Sequence, residues 1–98
     1  LRQMKAGICA LCGRPLGARV EAHHLIPKTF GGRETVALHP ICHRKIHTTL
    51  SERELRDRYH TLEALRVQPD INLFLRWIAK KPSDFYTRTE SSRARRRR

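Results

Sequence analysis

The pair Cys9-x-x-Cys12 and the pair His39-x-x-Cys42 constrain this chain more than any other feature of it. Two ligands separated by two residues sit on a tight turn, so their thiolates, or a thiolate and an imidazole, converge on one ion. Two such turns complete a tetrahedral Zn²⁺ shell of three Cys and one His. Gly13, directly after the first pair, suits the backbone that such a turn needs. Four protein ligands close the shell and leave no position for substrate, which assigns this metal to folding. The plainer alternative has Cys42 as a small buried hydrophobe and His39 as a hydrogen-bonded core group; the coincidence of two pairs favours zinc. A chain of this size needs such a staple. Its 98 residues, 39% hydrophobic and 6% aromatic, make one domain with a modest core, and short chains commonly add a metal or disulfides. The three cysteines cannot all pair within the chain, and no apolar run resembles a signal peptide or a membrane span. The reading is metal thiolates in a reducing, cytoplasmic setting. The chain opens at Leu1 and not at Met, as a trimmed or mature fragment does.

Charge narrows the partner. Lys and Arg total 21 against 9 acidic residues, a formal net charge of +12. Each phosphate neutralised by such a chain releases counterions, so nucleic acid is the simplest polyanion for it. A membrane surface is the lesser option, because no long apolar or amphipathic anchor accompanies the charge.

The region between the knuckles carries EAHHLIPKTFGG, with His23 and His24 side by side. Residues 20–26 read as a strand, 27–33 as a turn containing Gly31-Gly32, and 34–38 as the returning strand. Pro40 is well placed as the first residue of a helix over 40–50, on which Cys42, Ile46 and Leu50 share a stripe. His43 and His47 are four apart and occupy the adjacent face, a familiar two-imidazole metal arrangement. One ligand beside one solvated or phosphate-touching histidine is the other option there. The hairpin brings His23 and His24 alongside that helix. Neighbours on a regular strand face opposite sides, so both serve one site only if it straddles the strand or the backbone is irregular. Otherwise one packs and the other is exposed.

Beyond residue 50 the pattern is helical. Ser51-Glu52-Arg53-Glu54 matches a capping box, and Leu55, Tyr59 and Leu62 recur at helical spacing. A second helix follows Pro69-Asp70, with Ile71, Phe74, Leu75 and Ile78 as a packing stripe that Pro82 ends. Residues 1–8 read as a lead-in, 9–50 as the site-bearing unit, 51–86 as a helical extension packed on it, and 87–98 as a disordered arginine-rich tail. The tail either holds nucleic acid loosely or is simply solvated.

CALCG, EAHHLIPKTFGG, ETVAL and HPICHRKIH, in this order, resemble the HNH endonuclease family, whose ββα-metal fold is also called the His-Me finger. The resemblance covers roughly residues 9–50, with His39 standing where the family's second knuckle carries a cysteine. It implies an α+β fold: a small zinc-stabilised ββα-metal unit followed by C-terminal helices. It further implies hydrolysis of DNA phosphodiester bonds, double-stranded DNA foremost, by nicking or double-strand cleavage, leaving 5′-phosphate and 3′-hydroxyl ends. In the family the first of the two adjacent residues is a metal ligand and the second the general base, roles that fall on His23 and His24. His43 matches the ligand after the last knuckle cysteine, and His47 completes the metal shell or touches phosphate. The cofactors implied are structural Zn²⁺ on Cys9, Cys12, His39 and Cys42, and one catalytic divalent cation, Mg²⁺, Mn²⁺ or another transition metal. The family's central Asn is absent; its place is taken by Glu34 or a neighbour. Glu34 can brace the loop by accepting from backbone N–H groups but cannot donate as an amide does. Lys28, Arg33, Arg44 and Lys45 are expected at flanking phosphates, where contacts set register and carry little sequence information. The competing reading is a zinc-knuckle nucleic-acid-binding module without catalysis, and a third is an adaptor that binds protein through the later helices. A monomer would nick; a homodimer would break both strands.

Overall fold

The computed structural model describes residues 7–87. Most of the expected lead-in and nearly all of the expected arginine-rich tail lie outside the described residues. The first knuckle is a closed turn: Gly13 N–H donates to the Cys9 carbonyl and Cys9 N–H to the Arg14 carbonyl, both at 3.0 Å. Gly13 has φ 80°, the left-handed region that an L side chain resists. Ala10 N–H donates to the Ala37 carbonyl at 3.0 Å, which ties this turn to the hairpin that follows.

That hairpin pairs β1 (Glu21–His24) with β2 (Thr35–Leu38), antiparallel, with Glu21 opposite Leu38 and His24 opposite Thr35. Both strands are shorter than the sequence suggests. Leu25 N–H still reaches the Glu34 carbonyl at 3.1 Å, but Pro27 has no N–H for the ladder and the chain leaves it in a single 3₁₀ turn, Lys28–Phe30. At Gly32 an added Cβ would overlap the Ile26 carbonyl, so only glycine lets the two arms of the loop approach.

Helix α1 (Pro40–Thr49) begins directly after β2, with Pro40 in the first turn where a missing N–H costs nothing. Ile41, Cys42 and Ile46 are buried under it, and Leu50 behind it. Helix α2 (Glu52–Asp57) has both halves of its capping box: Ser51 Oγ accepts from Glu54 N–H at 3.1 Å, and the Glu54 carboxylate accepts from Ser51 N–H at 2.9 Å. The spacing of Leu55, Tyr59 and Leu62 predicts one continuous helix here, but α2 stops at Asp57. The reason is Thr61, whose hydroxyl accepts from Ala64 N–H at 3.1 Å and opens a new helix, α3 (Leu62–Val67). Helix α4 (Pro69–Ile78) follows, capped by the Gln68 side chain on Ile71 N–H at 2.9 Å. Ile71, Phe74 and Ile78 are buried.

Cys9, Leu11, Leu38, Ile41, Cys42, Ile46, Leu50, Leu55, Leu65, Ile71, Phe74 and Ile78 form one buried cluster. The knuckle and the later helices therefore share a core, and residue 50 marks a change in sequence character, not a break in packing. Two arginines fasten the knuckle to those helices. Arg66 donates to the Ala10 carbonyl at 2.8 Å and to the Leu11 carbonyl at 3.3 Å; Arg14 donates to the carbonyls of Lys81 at 2.8 Å and Pro82 at 2.6 Å. The result is a small α+β fold in which a two-stranded hairpin lies across α1. No helix among the described residues is long and apolar enough to cross a membrane.

Candidate metal centres and active site

Two groups of metal-ligating side chains come together on this frame. In the first, ligand atoms of Cys9, Cys12, His39 and Cys42 all lie within 4.8 Å of one another. His39 Nε2–H donates to the Pro15 carbonyl at 2.9 Å, which fixes the tautomer and turns the Nδ1 lone pair toward the sulfurs. Nδ1 is 3.4 Å from Cys12 Sγ and 4.0 Å from Cys42 Sγ. Such an outer partner is the usual means of orienting a ligating imidazole. Hydrogen bonds from the Cys12 and Cys42 side chains pull the Cys9 thiol far below its ordinary range. The same contacts with Cys12 and Cys9, with burial, push the Cys42 thiol far above it. Three thiolates and a neutral imidazole around Zn²⁺ carry one net negative charge, and Arg14, buried to 8% exposure with Nη2 3.5 Å from His39 Nδ1, sits where it offsets that charge.

The second group is His23, His43 and His47, whose ligand atoms also lie within 4.8 Å of one another. Ring centroids are 5.3 Å apart for His23–His43 and His23–His47, and 4.8 Å for His43–His47. Side-chain alternation on β1 resolves the question raised by the adjacent histidines. His23 faces α1 and is fully buried, while His24 points to the other face and is half-buried. Neither ring nitrogen of His23 has a hydrogen-bond partner. Burial, then the neighbouring His47, His43 and His24, pushes its pKa down to about 4. It is thus a neutral imidazole near pH 7. His47 is lowered too, by the protein around it and by His43, against an opposing pull from Glu52.

Glu21 completes the arrangement, and sequence reasoning missed it. Its Oε1 accepts from His43 Nδ1–H at 2.8 Å, leaving Nε2 as the lone pair that can reach a metal. The signal was present, since Glu21 and His23 are two apart on a strand and share the face toward α1.

The His43–His47 edge separates two clefts. One, about 250 Å³, is lined by His24, Lys28, Thr29 and Glu52; the other, about 450 Å³, by Arg19, Glu21, Arg44 and Tyr86. Lys28 and Arg44 therefore line the clefts on either side of the imidazoles. Lys45 does not. It is 5% exposed, because it follows Cys42 by three and precedes Thr49 by four on the buried stripe of α1. Arg33 and Glu34 line a separate cleft of about 610 Å³ together with His60. Among the described residues the hairpin loop is closed by main-chain bonds, Phe30 and Gly32 N–H to the Pro27 carbonyl and Leu25 N–H to the Glu34 carbonyl. Glu34 contributes its carbonyl there, where its carboxylate was expected.

No protein-family profile matches the chain, and no solved structure matches it. Over 64 residues the chain is 38% identical to the type IV methyl-directed restriction enzyme EcoKMcrA of Escherichia coli K12; the match takes in 54% of this chain and 23% of that enzyme's length. It is also 37% identical over 94 residues to the uncharacterized protein YisB of Bacillus subtilis, across 94% of this chain and 93% of YisB. A match of that identity running nearly end to end on both sides means that the chain belongs to the family of YisB.

Proposed function

We propose that this chain is a metal-dependent endonuclease of the HNH type that hydrolyses phosphodiester bonds in DNA, double-stranded DNA foremost. The observation that carries the reading is His23: a fully buried imidazole with both nitrogens unpartnered, packed against His43 and His47. A buried polar group left unpaired costs roughly 1–3 kcal/mol, and ligation removes that cost. Similarity to a restriction enzyme over 64 residues and the net charge of +12 support the same substrate class.

The donor set fits a divalent cation held by His23, His43 and His47. When bound, Mg²⁺, Mn²⁺ or another transition metal would supply Lewis-acid polarisation of the scissile phosphate and charge stabilisation for the leaving 3′-oxygen. The chain's own residues do the remainder. His24, at the cleft beside that edge, takes a proton from the attacking water, a role worth on the order of 10² to 10⁴ in rate. Glu21 keeps His43 in one tautomer and orientation. Lys28 and Arg44 hold phosphates on either side of the cut and set the register of the strand. Zn²⁺ on Cys9, Cys12, His39 and Cys42 holds the fold and takes no part in the reaction. Products carry 5′-phosphate and 3′-hydroxyl ends.

Supercoiled plasmid tests this reading. Zinc-loaded protein should convert it to relaxed or linear DNA when Mg²⁺ or Mn²⁺ is added, and leave it intact in buffer freed of added cations. Retardation of the plasmid in a gel without strand breaks under any divalent cation would replace the nuclease by a zinc-knuckle nucleic-acid-binding module.

A further inference from the structure

We propose that Arg19 and Tyr86 form a nucleotide subsite, in which an unstacked base of the substrate lies against the Tyr86 ring and Arg19 meets an adjoining phosphate. The inference rests on the nucleic-acid substrate proposed above and extends it to residues outside the motif-bearing stretches. Arg19 and Tyr86 line the 450 Å³ groove that borders His43 and His47. The same two residues, with Pro40, open onto a smaller cavity of about 170 Å³ lined also by Ala18, Ser83, Asp84 and Phe85, in which the Asp84 carboxylate is engaged by Ala18 N–H.

The protein holds this corner with more interactions than a loose C-terminal segment needs. Arg14 takes the carbonyls of Lys81 and Pro82, and Phe85 N–H donates to the Pro82 carbonyl at 3.0 Å. The Phe85 ring packs edge-on against Trp77 with centroids 5.6 Å apart. Asp84 Oδ1 accepts from Ala18 N–H at 2.8 Å, the approach being open only because residue 17 is glycine: a Cβ there would overlap the Asp84 carboxylate. After all this anchoring Tyr86 remains 52% exposed. Its ring contributes little to the core, yet it stands on the lip of the groove that Arg19, Glu21 and Arg44 line beside His43 and His47. Aromatic faces so placed stack on bases of any identity, with cations beside them tracking the backbone.

The test uses the full zinc-loaded chain without added divalent cation, so that binding is read and cleavage is not. The probe is a short single-stranded DNA carrying 2-aminopurine at successive positions, and the same strand in a duplex. The parental protein and Tyr86→Phe should quench 2-aminopurine at one position; Tyr86→Ala should lose that quench and bind on the order of tenfold more weakly. Arg19→Ala should keep the quench but lower the salt dependence of binding by about one phosphate. Quenching in the single strand alone means that the base arrives already unpaired; quenching in the duplex as well means that it is lifted from the stack. Equal quench and affinity in Tyr86→Ala and the parental protein would overturn the subsite, as would a parental protein that leaves both probes unbound. The nuclease reading falls separately, on the plasmid result.

Discussion

Removing zinc is expected to unfold this protein. The Cys42 thiol is fully buried in a cluster that includes Ile41, Ile46 and Leu11, so the candidate zinc site lies within the core itself. Binding at structural zinc sites contributes about 10–16 kcal/mol in small zinc-dependent folds, against a total stability of about 5–15 kcal/mol for a typical domain. A strong chelator is therefore expected to abolish both the helical circular dichroism signal and the cooperative thermal transition, and added Zn²⁺ to restore them. Cys42→Ser should behave as the chelated protein does, with α4 lost along with the knuckle because they share one core. A chelated protein that melts cooperatively at an unchanged temperature would remove zinc from the account of the fold.

Replacing His24 with alanine should reduce plasmid cleavage by about 10² to 10⁴-fold, the ordinary contribution of a positioned general base. Zinc content, thermal stability and plasmid retardation should stay at parental values, because His24 is half-buried and belongs to neither group of clustered metal-ligating side chains. His43→Ala is expected to fail differently, by losing the cation. Time courses of nicking under saturating metal separate the two variants. Cleavage by His24→Ala at the parental rate would assign the proton transfer to another group.

The two metal groups were legible in the sequence to different degrees, for a physical reason. A two-residue spacing between ligands is already the geometry of a knuckle, and a four-residue spacing on a helix already places His43 and His47 together. Strand parity required that His23 and His24 part company; which of them turned inward depended on the side of the hairpin that α1 covers. Glu21 was readable by the same parity. The burial of Lys45 was readable as well, from its place between Cys42 and Thr49 on one helical stripe. Arg19, Glu52 and Tyr86 were not, because nothing local to them announces the clefts they line; those depend on how α2 and the segment after α4 return to the hairpin. The break at Thr61 shows a side-chain cap overriding an apolar period.

A hydrolytic centre here requires His23, His43 and His47 to meet at one cation distinct from a thiolate-bound zinc. Titrating zinc-loaded protein with Co²⁺ and following its absorption tests this directly. One saturable equivalent is expected, with d–d bands and no thiolate-to-cobalt charge transfer, lost in His43→Ala and kept in His24→Ala. Absence of a saturable site, or a site that appears only with the thiolate signature as zinc is displaced, would contradict it.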